Sequence, residues 1–251
     1  RQHVPESQRA MSMGLGLLIL LVPLQILLGD AHGLNTLEHQ PVKIAAMEGL
    51  WETQARAPAV LFALPDATSE SNRFEIAIPG LASFYLLHDV NGVVKGLKAF
   101  PPEDRPPVGI VFWAFRVMAG MGVLMLAVVT WGVWLRWRGR LFASPAFLFV
   151  CNFMAPVGFV AVLAGWTVTE VGRQPWVVYG LLRTRDAVSP SITGLDVLLS
   201  LLLYMAVYAV IFSAGLYYLF RIARAGPPTE TEARDAKLSE RPARPLSAAD
   251  A

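Results

Sequence analysis

A carboxylate and a guanidinium lie three residues apart near the end of a long apolar stretch, in AGWTVTEVGRQPW at positions 164–176. At this spacing Glu170 and Arg173 share one face of a helix and can pair, and Trp166 lies on the same face. Ions at the edge of a membrane are costly unless a partner or a cavity receives them. Two interpretations stay open: an interfacial anchor at the membrane boundary, or a carboxylate directed at a metal or cofactor.

A thioether and a second arginine occur early in another apolar stretch, FWAFRVMAGMG. Met118 offers a soft, neutral iron ligand, suited to a haem that cycles between ferrous and ferric states. Arg116, two residues before it, can hold a haem propionate. The alternative is that the methionine only packs, since Met121 and Met125 continue the run.

A third candidate site lies in EHQPVKIAAMEGLWET, which predicts a short amphipathic helix after Pro41. Lys43 and Glu48 are five residues apart there, with Ile44, Ala45 and Ala46 between them. A carboxylate that accepts a proton and an ammonium that holds an oxygen suit an amphipathic ring with exchangeable protons at a membrane surface. An ordinary solvated helix face is the alternative.

Other kinds of site find little support in the sequence. The four histidines form no HxxxH or HExxH motif, and no P-loop or nucleophile elbow occurs. Cys151 is the single cysteine, so neither a disulfide framework nor a cysteine metal site is available. A net charge of +2 is too small to suggest nucleic acid as a partner.

Membrane-spanning helices must position these candidates. The chain is 55% hydrophobic and 16% charged, with a mean hydropathy of +0.48, which indicates an integral membrane protein. Four stretches are long enough to cross about 30 Å of hydrocarbon. They cover roughly residues 10–29, 109–135, 145–171 and 195–220, with a kink expected at Pro23 and an interruption at Pro156. Because segments that alternate like barrel strands are absent, the predicted fold is all-α.

The orientation follows from the arginines in the short connections. RWRGR at 136–140 predicts a cytoplasmic turn, and the segment after the fourth helix should share its side. The stretches 30–108 and 172–194 then lie outside, and strand-like alternation is expected around residues 74–78. No signal-peptide pattern follows Arg1, so we expect insertion through the chain's own spans.

Three separated motifs resemble subunit I of the cytochrome bd-type quinol oxidases. They are GWTVTEVGRQPW, AFRVM, and GDAHGLNTLEHQPVKIAAMEGLWET, which resembles the start of that family's quinol-binding Q-loop. The resemblance covers about Ala10 to Arg224, and the Q-loop is similar to the short form of the cyanide-insensitive variant. It implies a fragment with four helices from a larger helical bundle, the C-terminal half of a subunit with nine.

The resemblance implies haem-binding roles. Met118 would be an axial ligand of a low-spin haem b, with Arg116 beside that haem. Glu170 would bind the iron of a high-spin haem b or lie next to it, with Trp166 and Arg173 lining the site. The oxygen site would hold haem d or a third haem b. The family's histidine ligands precede this segment, and no histidine here is expected within a spanning helix.

The resemblance also implies a quinol site and a domain plan. Lys43 and Glu48 would act in ubiquinol oxidation, and Asp30 matches an acidic position of the same loop. The plan has four parts: a first helix with a cytoplasmic lead-in at 1–29, an extracytoplasmic Q-loop at 30–108, three haem-bearing helices at 109–224, and a disordered cytoplasmic tail at 225–251.

The implied activity is that of a terminal oxidase in the bacterial cytoplasmic membrane. Quinol would be oxidised at the periplasmic face and oxygen reduced to water, generating a proton gradient, in a complex with subunit II and a small single-helix subunit. This fragment alone should be inactive. Two other hypotheses remain: a haem-free transporter gated by the Glu170–Arg173 pair, and an assembly subunit without a cofactor.

Overall fold

A computed structural model describes residues 4–226 of the chain. Within that range, four helical segments are long and apolar enough to cross a membrane: Val4–His39, Val108–Trp137, Pro145–Gly172 and Gly194–Ala225. The prediction of an all-α membrane protein with four spans is therefore confirmed. The predicted disordered tail lies outside the described residues from 227 onward.

The chain divides into two units, 4–188 and the segment from Ser189 on. The helices are α1 Val4–His39, α2 Pro41–Glu48, α3 Leu81–Leu87, α4 Val108–Trp137, α5 Pro145–Phe153, α6 Val157–Gly172 and α7 Gly194–Ala225. The strands are β1 Gln54–Ala55, β2 Ala59–Asp66, β3 Ser71–Ile78, β4 Val93–Val94, β5 Trp176–Val178 and β6 Leu182–Arg183. They form three antiparallel pairs, β1–β4, β2–β3 and β5–β6.

The first helix is longer than predicted. It runs through Pro23 without interruption and past the expected end at residue 29. Asp30 therefore lies on α1 and not in a loop, and the expectation that no histidine belongs to a spanning helix is wrong for His32 and His39. The helix ends at His39, because Pro41 disfavours helical geometry in Gln40, the residue before it.

The third span is interrupted where the sequence predicts. Helix α5 ends at Phe153 and α6 begins at Val157, directly after Pro156. The Ser144 side chain accepts a hydrogen bond from the Phe147 backbone N–H, which caps the start of α5. The two helices thus form one interrupted span of 28 residues.

Helices α1, α4 and α5 meet in an apolar cluster where close approach depends on a glycine. A Cβ on Gly132 of α4 would lie 2.8 Å from the Phe147 ring and 3.0 Å from Leu15 Cδ1. Leu15 and Phe147 are both buried in this cluster. A larger residue at position 132 would force α1 and α5 away from α4.

Between α1 and α4, residues 40–107 form a segment with its own packed core, called here the loop segment. The β2–β3 hairpin pairs Phe62 with Ile76, which confirms the predicted strand around residues 74–78. Helix α2 is also confirmed, but it is not amphipathic, because all its residues except Pro41 and Met47 are buried. It contributes to two apolar clusters of the loop segment, one containing Ala45 and the other Ile44.

Candidate functional site

The two charged residues of α2 are both buried, which rules out a solvated helix face. Lys43 is 7% exposed and Glu48 is 1% exposed. Five residues correspond to about 140° around a helix, so the two side chains point in different directions. The structure accordingly places them in two separate clusters.

Glu48 faces α4, where Arg116 binds it. The Arg116 Nη2 atom lies 3.2 Å from Glu48 Oε2, and only 13% of the arginine side chain is exposed. The same guanidinium donates to the backbone carbonyls of Met47, Glu48 and Val60. The Phe112 ring lies 4.4 Å from the guanidinium carbon. Arg116 therefore fastens α4 to the loop segment and neutralises the Glu48 carboxylate.

Tyr85 of α3 also acts on the pKa of the Glu48 carboxyl. Burial raises the pKa of Glu48, whereas the charge of Arg116 and hydrogen bonds from Tyr85 and Arg116 act in the opposite direction. Burial, followed by the charge of Glu48, raises the pKa of Tyr85, so its hydroxyl stays protonated. A buried carboxyl whose pKa lies above its ordinary value is suited to accept and release a proton.

The chain directly after Glu48 is fixed by two residues from other elements. Gly49 has φ 66°, and a Cβ there would lie 2.9 Å from the Phe112 ring, so glycine is required for both conformation and space. The Asn72 amide of β3 donates to the Gly49 carbonyl over 2.9 Å and accepts from Trp51 Nε1 over 2.9 Å. A cavity of about 150 Å³ adjoins this turn, lined by Gly49, Trp51, Asn72 and their neighbours.

Lys43 faces the end of α6. Its aliphatic stem rests on Gly172, where a Cβ would lie 3.1 Å from Lys43 Cγ. Burial and the charge of Arg173 lower the pKa of Lys43, while the charge of Glu170 raises it. The predicted pair at the end of α6 is confirmed, with Arg173 Nη2 2.6 Å from Glu170 Oε2. This cluster holds two cations and one carboxylate, and it joins α2 to α6.

Met118 lies two residues after Arg116 but faces another neighbour. Two residues correspond to about 200° around a helix, so the two side chains lie on opposite sides of α4. Met118 is partly buried, and its Sδ atom would lie 2.9 Å from a Cβ on Gly165 of α6. The thioether therefore occupies the contact between α4 and α6. Trp166, the next residue of α6, is 64% exposed.

Asp30 is not brought to either cluster. Its carboxylate lies 3.5 Å from Nε2 of His88, which follows α3, and 41% of its side chain is exposed. The sequence analysis did not identify Tyr85 or Asn72. Tyr85 lies 37 residues from Glu48 in the chain, and Asn72 lies 23 residues from Gly49. No spacing rule connects residues so distant.

A metal ion held by this part of the chain alone is not supported. Across residues 4–226, no group of three or more His, Cys, Asp or Glu side chains could hold one. Cys151 lies partly buried against the apolar cluster of α1, α4 and α5, where it packs.

Comparisons with known proteins agree with one another. The sequence model of a family described as Cytochrome bd terminal oxidase subunit I matches residues 1–227. Cytochrome bd ubiquinol oxidase subunit 1 of Bacillus subtilis (strain 168) is 37% identical over 76% of this chain and 43% of its own. Cytochrome bd-II ubiquinol oxidase subunit 1 of Escherichia coli (strain K12) is 28% identical over 80% of this chain and 52% of its own.

The solved structure of bd oxidase from Geobacillus thermodenitrificans is similar in fold. It superposes with a TM-score of 0.68 and 30% identity, covering 80% of this chain and 46% of that one. The chain thus spans about half the length of the relatives it matches.

Proposed function

This chain belongs to the cytochrome bd terminal oxidase subunit I family, and we propose on that premise that it carries the quinol-oxidising site of a membrane-bound terminal oxidase. The observation that carries the proposal is the fully buried Glu48 carboxyl, paired with Arg116 on the helix that also bears Met118. The proposed proton acceptor therefore contacts α4 at a residue two positions before the candidate haem ligand, on the opposite side of that helix.

In the proposed reaction Glu48 accepts a proton from a quinol hydroxyl. Its buried position raises its pKa, which favours acceptance of a proton from the quinol. Arg116 orients the carboxyl, and Lys43 supplies positive charge from the α6 side of the same helix. Asp30 belongs to the outer end of α1 near this loop. Two ubiquinols, each giving up two electrons at the outer face, supply the four electrons that reduce one oxygen molecule to two water molecules with four protons.

The donor chemistry of the helices fits haem. The Met118 thioether, at the α4–α6 contact, is a neutral ligand suited to a low-spin haem b. Glu170, with its charge balanced by Arg173, suits a high-spin haem b site that Trp166 lines. Bound haem supplies one-electron transfer and the oxygen chemistry, with haem d or a third haem b at the oxygen site.

The proposed role of Arg116 beside the low-spin haem is limited by its present contacts. Its four hydrogen bonds to Met47, Glu48 and Val60 leave one of five guanidinium N–H groups for a propionate. We therefore assign Arg116 first to the loop segment. Any contact with a propionate uses the remaining donor.

The chain is a multi-pass membrane protein. We place the turn at 136–140 in the cytoplasm and the loop segment on the periplasmic side of the bacterial inner membrane. Subunit II and a small single-helix subunit are the proposed protein partners. Both would assemble with the complete subunit I in the lipid bilayer.

The test is Glu48→Gln in the complete oxidase. The amide keeps the size of the side chain but cannot accept the proton, so quinol-driven oxygen consumption should fall about 100-fold. Oxygen reduction driven by artificial donors that reach the haems directly should keep its rate. Glu103→Gln, at an exposed position of the loop segment, is the matched control.

Two outcomes would count against the proposal. Wild-type quinol oxidation in Glu48→Gln would remove Glu48 from the reaction. Equal loss with both donors would mean that Glu48 serves folding. The transporter hypothesis predicts a purified protein without haem absorbance, which a reduced-minus-oxidised spectrum tests directly. The assembly hypothesis predicts that Glu170→Ala or Met118→Ala leaves any associated spectrum unchanged.

A further inference from the structure

We propose that one face of the β2–β3 hairpin is a membrane-binding surface that lies against the lipid bilayer. The hairpin belongs to the loop segment and not to a spanning helix, yet it exposes large apolar side chains on both strands. They are Phe62, Leu64, Phe74, Ile76 and Ile78. Exposed apolar patches of this kind mark binding surfaces, because water alone gives no reason to keep them.

The two faces of the hairpin have different neighbours. One face packs on α4 in an apolar cluster formed by Val60, Ala63, Ala77 and Phe112. Side chains alternate between the faces of a strand, so Ile76 and Ile78, which flank Ala77, point away from that cluster. Phe62 is the cross-strand partner of Ile76 and lies on the same side. The face of Phe62, Ile76 and Ile78 is called here the free face.

The free face continues the exposed side of a spanning helix. The Phe62 ring meets the Trp113 ring of α4 edge to face, with 5.2 Å between the ring centroids. Ile110 and Val117 lie three residues before and four residues after Trp113, so they share its side of α4, and both are exposed. The apolar surface of α4 therefore runs through Trp113 onto the hairpin.

The length of α4 indicates the depth of this contact. The helix has 30 residues and is about 45 Å long, whereas the hydrocarbon core of a bilayer is about 30 Å thick. Shared between the two ends, the excess is about 8 Å at each, which is also the rise from Val108, where α4 begins, to Trp113. Trp113 and Phe62 thus lie where headgroups meet hydrocarbon, the level at which tryptophan is enriched. Lipid is therefore the partner that the free face meets.

Phe74 extends from the hairpin at a β-bulge. Opposite Ala63 of β2, the strand β3 carries two residues, Phe74 and Glu75. Phe74 has φ 53°, a backbone conformation that bulky residues rarely adopt, and 77% of the residue is exposed. Neither its backbone nor its burial in the described chain favours this arrangement. Insertion of the ring into the bilayer interface supplies the missing contact.

The experiment places nitroxide labels on cysteine variants of the complete oxidase in vesicles of phosphatidylethanolamine and phosphatidylglycerol, in a Cys151→Ala background. Phe74→Cys and Ile76→Cys report on the proposed surface. Thr68→Cys, in the exposed polar turn of the same hairpin, is the matched control. Power saturation of the EPR signal compares collisions with oxygen, which concentrates in lipid, and with a water-soluble nickel chelate. We expect oxygen to exceed nickel at positions 74 and 76 and nickel to exceed oxygen at position 68.

Each other result would overturn the proposal. Stronger relaxation by nickel at positions 74 and 76 would mean that the surface faces water. Weak relaxation by both agents would mean that another protein segment covers it. Failure of both variants to assemble with haem would mean that the two side chains maintain the fold. None of these results bears on Glu48, so the function proposed above stands or falls separately with Glu48→Gln.

Discussion

The contact between Arg116 and Glu48 predicts a large, local loss of stability when the arginine is replaced. Arg116→Met keeps much of the side-chain length but removes the charge and all the donors. The Glu48 carboxylate, 1% exposed, then lacks its cation, and the carbonyls of Met47, Glu48 and Val60 lose a donor each. Four separate losses thus fall on the end of α2 and on β2.

The magnitude follows from the burial of the pair. Removal of one partner of a buried ion pair costs about 3–5 kcal/mol. Protonation of Glu48 recovers part of this cost, so we expect a value near the lower end. Because the variant raises the pKa of Glu48 in the folded state, the deficit should be smallest at acidic pH, where the carboxyl is protonated in both states. It should grow as the pH rises above the folded-state pKa of Glu48 in the wild type, which burial already raises above the ordinary value.

Hydrogen exchange in the complete oxidase measures this loss where it occurs. A deficit of about 3 kcal/mol corresponds to roughly two orders of magnitude faster exchange of the α2 amides. Arg185→Met is the control, since that arginine side chain is 75% exposed and its ion pair at the surface contributes little. Unchanged protection of α2 in Arg116→Met would refute the assignment of Arg116 as the residue that fastens α4 to the loop segment.

A double-mutant cycle separates the charge from the other contacts. Glu48→Gln combined with Arg116→Met leaves no uncompensated carboxylate. The double variant should therefore be more stable than the sum of the two single changes predicts. Strict additivity would mean that the backbone hydrogen bonds of Arg116, and not the ion pair, account for the loss.

Two further predictions concern the glycines that contact Met118 and Lys43, two side chains of the proposed sites. Gly165→Ala would put a Cβ 2.9 Å from Met118 Sδ, so the thioether must move. The low-spin haem spectrum of the complete oxidase should then change. Gly158→Ala, where a Cβ would have no atom within 4 Å, should leave the spectrum unaltered. Gly172→Ala would bring a Cβ to 3.1 Å from the Lys43 stem and should raise KM for quinol several-fold. An unaltered KM would remove the Lys43 contact with α6 from quinol binding.

The parts of the fold that depend on local sequence were predictable. The four spans follow from the length of their apolar runs, and the interruption before Val157 follows from Pro156. The extension of α1 was not predictable in the same way. Residues 30–39 are mostly polar and include Gly33, so hydropathy alone places the end of the helix at the end of the apolar run. The helix continues because helical backbone bonds need no apolar side chains, and the proline at 41 sets its limit.

The same distinction between local and long-range sequence applies to the candidate site. The Glu170–Arg173 pair is three residues apart and was predicted from helix geometry alone. The pairing of Lys43 with Glu48 rested on proximity in sequence, yet a difference of about 140° sends them to different neighbours. The true partner of Glu48, Arg116, is 68 residues away, so it depends on how the loop segment folds onto α4. Packing between distant segments leaves no periodic trace in the sequence.

Helix α4 carries both Arg116, which binds Glu48, and Met118. Arg116 faces the loop segment and Met118 faces α6, on opposite sides of one helix and within one turn of each other. Helix α2 is held at the same time by Arg116 through Glu48 and by Gly172 through Lys43. A displacement of α2 would therefore disturb its contacts with α4 and with α6 together. The proposed proton acceptor Glu48 and the proposed haem ligand Met118 are thus connected through Arg116 and a single turn of α4.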